Sequence, residues 1–174
     1  KVQSGAKSRD YLSSLDWLIA SNMVTLSSLV SVPEIPLKGF VKEDVFKLYL
    51  NDVGILNHLL EIKASDILLD NLSLYKGVIT ENYVANQLET MGYSLYYWQS
   101  NGIAEVDFLL YTKEGIIPLE VKAADNVQSK SLHVYMEKYK PQKSIRVSSR
   151  NFGYDKEKKI KSVPLYAIFC LKDL

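Results

Sequence analysis

Residues 103–123 read Ile103-Ala104-Glu105-Val106-Asp107-Phe108-Leu109-Leu110-Tyr111-Thr112-Lys113-Glu114-Gly115-Ile116-Ile117-Pro118-Leu119-Glu120-Val121-Lys122-Ala123. Two strand-like runs flank the polar break Thr112–Gly115. Side chains alternate across a strand, so Val106, Phe108 and Leu110 are expected on one face and Glu105 and Asp107 on the other. In the second run Ile117, Leu119 and Val121 oppose Glu120 and Lys122. If Thr112–Gly115 is a tight hairpin loop, Tyr111 pairs with Ile116. Asp107 then faces Glu120, and Glu105 faces Lys122. A slip of one residue would mix apolar and charged faces and is disfavoured. Facing residues have Cβ atoms about 4.5–5.5 Å apart. Two carboxylates that close repel unless one is protonated or a cation intervenes. Hard oxygen ligands suit Mg²⁺ or Mn²⁺, which leave coordination positions for water and phosphate. Lys122, two residues from Glu120, can orient a water or neutralise charge on a phosphate.

Working outward, a helix is expected from about Leu74 to Met91, stopped by Gly92. Leu74, Val78, Ala85 and Leu88 form its apolar stripe, and Glu81 lies on the same stripe. A carboxylate facing a core needs a cation or strong donors. Strands are expected at about 94–100, 103–111 and 116–123, a helix at 129–140, and strands near 144–149 and 163–171. The order αβββαββ gives an α/β fold with a mixed sheet flanked by helices. Residues 63–174 form this unit. Residues 1–62 read as a small winged-helix-like unit. In it, Ser8 caps a helix through Tyr11, Leu12, Leu15, Leu18 and Ile19. A strand follows at Met23–Val32, a Pro33/Pro36 loop, a strand at Val45–Leu50, and a helix capped by Asp52.

The net charge of +1 conceals an asymmetry. Lys130 to Lys161 holds ten Lys/Arg against three Asp/Glu, a balance of +7; the remainder holds eleven against seventeen, or −6. The basic block, with Lys130, Lys138, Lys140, Lys143, Arg146 and Arg150, points to a polyanionic partner such as DNA. Zinc is disfavoured, because there is one cysteine and His58 and His133 lack ligand spacing. Cys170 lies in an apolar run and reads as a buried small residue of a reducing, cytoplasmic protein. No apolar run approaches the roughly 20 residues a membrane span needs, and no signal-peptide pattern is present. No glycine-rich phosphate loop or hydrolase elbow occurs. A start at Lys1 rather than methionine suggests a fragment of a longer protein.

Three blocks, Gly77-Val78-Ile79-Thr80-Glu81-Asn82-Tyr83-Val84, Glu105-Val106-Asp107-Phe108-Leu109-Leu110 and Pro118-Leu119-Glu120-Val121-Lys122-Ala123, resemble in order the PD-(D/E)xK nuclease superfamily. More closely they resemble the C-terminal domain of unknown function, family 4143, that follows an AAA-type ATPase module in prokaryotic proteins. Lys47-Leu48-Tyr49-Leu50-Asn51-Asp52-Val53-Gly54 resembles the linker unit of those proteins. The resemblance implies a restriction-endonuclease-like fold and a cytoplasmic prokaryotic protein, with ATP bound only by a preceding ATPase module. It implies Asp107, Glu120 and Glu81 as metal ligands and Lys122 as the catalytic lysine. Val106 stands where the superfamily motif has proline. The expected function is Mg²⁺-dependent hydrolysis of DNA. The alternative is a non-catalytic DNA- or protein-binding regulatory module that keeps the nuclease fold.

Overall fold

The computed structural model describes residues 11–72, 75–100, 102–123 and 130–173. Its element order begins α1 (Leu12–Ala20), β1 (Val24–Val30), β2 (Val41–Leu50), α2 (Val53–Leu59), α3 (Ala64–Leu68) and α4 (Lys76–Thr90). It continues β3 (Tyr96–Gln99), β4 (Glu105–Val106), β5 (Phe108–Thr112), β6 (Gly115–Lys122), α5 (Lys130–Tyr139), β7 (Ser144–Ser148), β8 (Gly153–Asp155) and β9 (Ile160–Pro164). A 3-10 helix, Leu165–Asp173, follows. The fold is mixed α/β. One sheet has the order β2-β1-β3-β4 and the other β5-β6-β7-β9-β8.

The expected hairpin register is present. Tyr111 pairs with Ile116 and Phe108 with Leu119 in the antiparallel β5–β6 ladder. β6 and β7 are parallel, joined through α5, and β9 adds in parallel to β7. β6 and β7 are consequently covered on both faces. On one face Ile117, Leu119, Ile145, Val147 and Val163 pack with Val84, Ala85 and Leu88 of α4 and with Ala167, Ile168 and Leu171 of the 3-10 helix. On the other, Leu109 and Ile160 pack with Leu132 and Tyr135 of α5, and with Trp98 and Val106. Trp98, only 1% exposed, meets Tyr135 and Tyr139 edge-on, at 5.2 and 5.6 Å between ring centroids. Its indole Nε1 donates to the Tyr139 hydroxyl.

Several expectations change. The run from Glu105 to Thr112 is not one strand. β4 pairs with β3, placing Glu105 beside Gln99 rather than opposite Lys122. The chain bends at Asp107 and enters the second sheet as β5, so Val106 belongs to the α5-side core while Phe108 and Leu110 belong to the α4-side core. The expected strand over 163–171 ends at Pro164. Beyond it the buried residues Ala167, Ile168 and Leu171 recur at helical spacing, and the chain coils to bury them. In α4, Val78 is 52% exposed; Val84, Ala85 and Leu88 are buried, and Glu81 is half-buried at the edge of their stripe. Cys170 is half-buried rather than buried. The proposed Ser8 cap and Leu74 lie outside the described residues.

Other local signals act as the sequence indicates. Asp52 accepts from the amides of Gly54 and Ile55 and starts α2. Gly92, at φ +85°, follows α4, and the amide of Tyr93 returns to the Leu88 carbonyl. β1 pairs antiparallel with β2 and parallel with β3, through Ser28–Tyr96, Leu29–Tyr97 and Val30–Trp98. The segment read as winged-helix-like therefore shares a sheet with the segment that follows it.

α4 is held to the end of β2 by Asn82. Its buried amide accepts from the Leu50 N–H at 2.9 Å and donates to the Leu50 carbonyl at 2.8 Å, and Asn86 donates to the same carbonyl. Truncating Asn82 leaves the Leu50 amide without this acceptor next to the core. Asn82→Ala should lower unfolding stability by about 2–4 kcal/mol in urea titrations, whereas Val78→Ala should change it by about 1 kcal/mol or less.

Candidate active site

Four elements bring charged side chains to the bend between β4 and β5. Asp107 sits at the bend. Its Oδ2 accepts from the amide of Val121 at 2.7 Å, so the carboxylate bonds to the backbone directly after Glu120. Along the β5–β6 ladder Asp107 would be the next residue, facing Glu120, but the ladder stops at Phe108 and the chain bends at Asp107. The Asp107 carboxyl is pushed up to about 7. Burial is the largest cause, followed by the negative charge of Glu81, with a smaller contribution from Glu120. The Val121 amide and the Lys47 ammonium act in the opposite direction.

Glu120 is buried, 2% exposed, in the middle of a β-ladder. Lys122 Nζ contacts its Oε1 at 2.5 Å. The other oxygen, Oε2, is buried and has no hydrogen-bond partner among the described residues. Glu120 and Lys122 are register partners of Arg146 and Ser148 on parallel β7, so all four share the α5-side face.

Glu81 lies on α4, with about a quarter of its side chain accessible. Its Oε1 accepts from Lys47 Nζ at 2.9 Å and from the Tyr49 hydroxyl at 2.5 Å. Lys47 also reaches Glu105 Oε1 at 2.5 Å and stands 5.0 Å from the centroid of the Tyr97 ring. Burial works against the Lys47 ammonium, but the two carboxylates outweigh it and hold the pKa above the ordinary lysine value. Burial and the Glu81 charge together push the Tyr49 phenol well up, keeping it a donor. The sequence reading did not single out Lys47 or Tyr49 as site residues. Both occupy inward positions of one strand, two residues apart, and a lysine turned inward is itself a signal.

The expected site residues are thus neighbours with different partners. Glu81 is tied to Lys47 and Tyr49, Asp107 to the Val121 amide, and Glu120 to Lys122. Among the described residues, no group of three or more His, Cys, Asp or Glu side chains is gathered in an arrangement that could hold a metal ion. A two-carboxylate arrangement remains. Mg²⁺ is commonly held by one or two carboxylates, with waters and substrate phosphates completing its shell. The unpartnered Oε2 of Glu120 and the adjacent Asp107 carboxylate fit that requirement.

The basic residues divide by topology. β6 and β7 run parallel, so Arg146 and Arg150 lie toward the end carrying Lys122, and Lys130 begins the helix that leaves that end. Lys138, Lys140 and Lys143 lie at the other end. There Lys143 contacts Glu114 at 2.8 Å, and Lys138 stands 5.7 Å from the Trp98 ring centroid and 5.0 Å from that of Tyr139. The six do not form one track.

A family model described as "Domain of unknown function (DUF4143)" matches residues 76–168, more than half of the chain, and the protein belongs to that family. A second, "Domain of unknown function (DUF8612)", matches residues 1–66. Glu81, Glu105, Asp107, Glu120 and Lys122 fall within the first match, and Lys47 and Tyr49 within the second. No curated protein and no solved structure matches the chain. Among the described residues, no helix is long and apolar enough to cross a membrane.

The raised Asp107 pKa has a thermodynamic consequence. An unfolded aspartate releases its proton near pH 3.9, about three units below the native value. Between those values the native chain holds a proton that the unfolded chain has lost, so stability falls as pH rises from about 4 to about 7. Asp107→Asn keeps an acceptor for the Val121 amide and removes the charge. In chelator-treated protein it should flatten this part of the stability–pH curve and raise the melting temperature at pH 8. An unchanged slope would show that Asp107 ionises normally.

Proposed function

We propose that the chain is a nuclease-type domain that hydrolyses phosphodiester bonds in DNA with Mg²⁺ or Mn²⁺, in a restriction-endonuclease-like arrangement. The observation that carries the reading is Glu120: a buried carboxylate with one oxygen unpartnered, beside an ammonium and a second carboxylate of raised pKa. Such a group draws in a cation. The topology supports it. A helix bearing Glu81, Asp107 at the entry to an antiparallel pair that carries Glu120, and a helical crossover to a parallel strand are what favours this reading.

Asp107 and Glu120 would hold the ion, which when bound polarises a phosphate and lowers the pKa of a coordinated water. Lys122, anchored on Glu120, places its positive charge where a phosphate oxygen gains negative charge in the transition state. The burial and the neighbouring Glu81 charge that make a negative charge costly at Asp107 would be offset by a cation held there. Lys130, Arg146 and Arg150, at the same end of the sheet, would meet the phosphate backbone. The same reading places an AAA-type ATPase module before this domain in a prokaryotic cytoplasmic protein, with ATP bound there.

A second reading, a non-catalytic DNA- or protein-binding module, is favoured by Lys47. Its fixed ammonium already bridges Glu81 and Glu105 and offsets one of their two negative charges without a metal.

Plasmid, single-stranded and branched DNA incubated with Mn²⁺ or Mg²⁺ should be cleaved, with at least a hundredfold loss in Asp107→Asn, Glu120→Gln and Lys122→Ala. Cleavage undiminished in all three would place the activity elsewhere or in a contaminant. DNA binding without cleavage, even with an ATPase module supplied, would establish the binding module.

A further inference from the structure

We infer that Lys47 is a resident counter-cation that withholds Glu81 from the metal, so that a residue outside the matched DUF4143 region sets how many carboxylates the site can offer. This inference rests on the metal-binding reading above.

Three observations carry it. First, the geometry of Lys47 is over-determined. Its Nζ bridges Glu81 Oε1 and Glu105 Oε1, two carboxylates from different elements, and its positive charge faces the Tyr97 ring. An ammonium has three donors, and two are committed to carboxylates. Second, Glu81 Oε1 also takes the Tyr49 hydroxyl, so β2 makes two bonds to one carboxylate oxygen. Asn82, the next residue along α4, is fixed to Leu50 of the same strand. The helix carboxylate is therefore oriented toward β2 by three residues of β2. Third, Glu81 remains close enough to Asp107 for its charge to be the second-largest influence on that group. Glu81 is near the site, with its Oε1 already committed to two donors of β2. Asp107 and Glu120 are left to bind the ion, and the unpartnered oxygen belongs to Glu120.

Lys47 is accordingly a positioning residue. Removing its charge frees Glu81 to turn toward the ion, which adds a ligand and tightens binding. Mn²⁺ alone, titrated calorimetrically into the full chain without DNA, reads this directly. The wild type should bind one ion, and Lys47→Met about tenfold more tightly. Lys47→Arg, which keeps the charge, should restore wild-type affinity. The double variant Lys47→Met/Glu105→Gln has the wild-type net charge but a released Glu81, and it should keep the gain. Loss of the gain there would show a mere long-range charge effect and overturn the inference, as would unchanged affinity in Lys47→Met. In both cases the metal reading stands. Should Lys47→Met fail to fold, Glu81→Gln in the wild-type background decides. Affinity within about threefold supports the inference, and a tenfold loss shows Glu81 already ligating the ion. Absence of Mn²⁺ binding in every folded variant overturns both the metal reading and this inference.

Discussion

The structure depends on what happens at Asp107. A single run of sequence pairs with β3 up to Val106 and with β6 from Phe108, and the change of sheet takes place within one residue. Leaving a ladder exposes backbone donors that a buried sheet cannot tolerate. Here the Asp107 carboxylate supplies the acceptor that the departing backbone does not, by taking the Val121 amide. The same bond puts an ionisable oxygen beside Glu120 in a place with little water. The change of face between Val106 and Phe108 accompanies that exchange, and burial beside Glu81 there raises the Asp107 pKa against the pull of the amide.

The charges around the bend are compensated in unequal ways. Glu81 and Glu105 share one ammonium from β2, Glu120 is half-satisfied by its strand neighbour Lys122, and Asp107 has one strong backbone donor. A buried ion pair contributes little net stability, because desolvation offsets most of the attraction. Such an arrangement is better understood as holding side chains in fixed orientations. It also makes the site a joint product of two stretches that match different family models, one within residues 1–66 and the other within 76–168.

Much of this was legible in the sequence, and the failures have specific causes. The β5–β6 register could be read because a four-residue break and strict alternation leave one pairing that keeps apolar faces together. α4 could be read from its glycine stop and from Ala85 and Leu88, although Val78 of the expected stripe is exposed. The Glu105–Lys122 pairing failed because alternation assumes that a strand stays in one sheet. The last strand failed because a short apolar run carries no periodicity of its own, and the buried spacing at Ala167, Ile168 and Leu171 decided the matter only in three dimensions. Lys47 was legible only as part of a linker-like block, not as a site residue, because its partners lie 34 and 58 residues further along the chain. The basic block was visible as composition, but the parallel crossover divides it between opposite ends of the sheet.

The parallel pairing of β1 with β3 also constrains how the chain reaches its native state. The β1–β2 hairpin can form early from local contacts, yet its inner edge stays open until α4 and β3 have been made. Such non-local closure costs loop entropy before any contact repays it, which slows folding relative to helical chains of similar size. During that interval the unpaired edge around Leu29 and Val30 is open to wrong strand partners, and pairing with Tyr97 and Trp98 closes it.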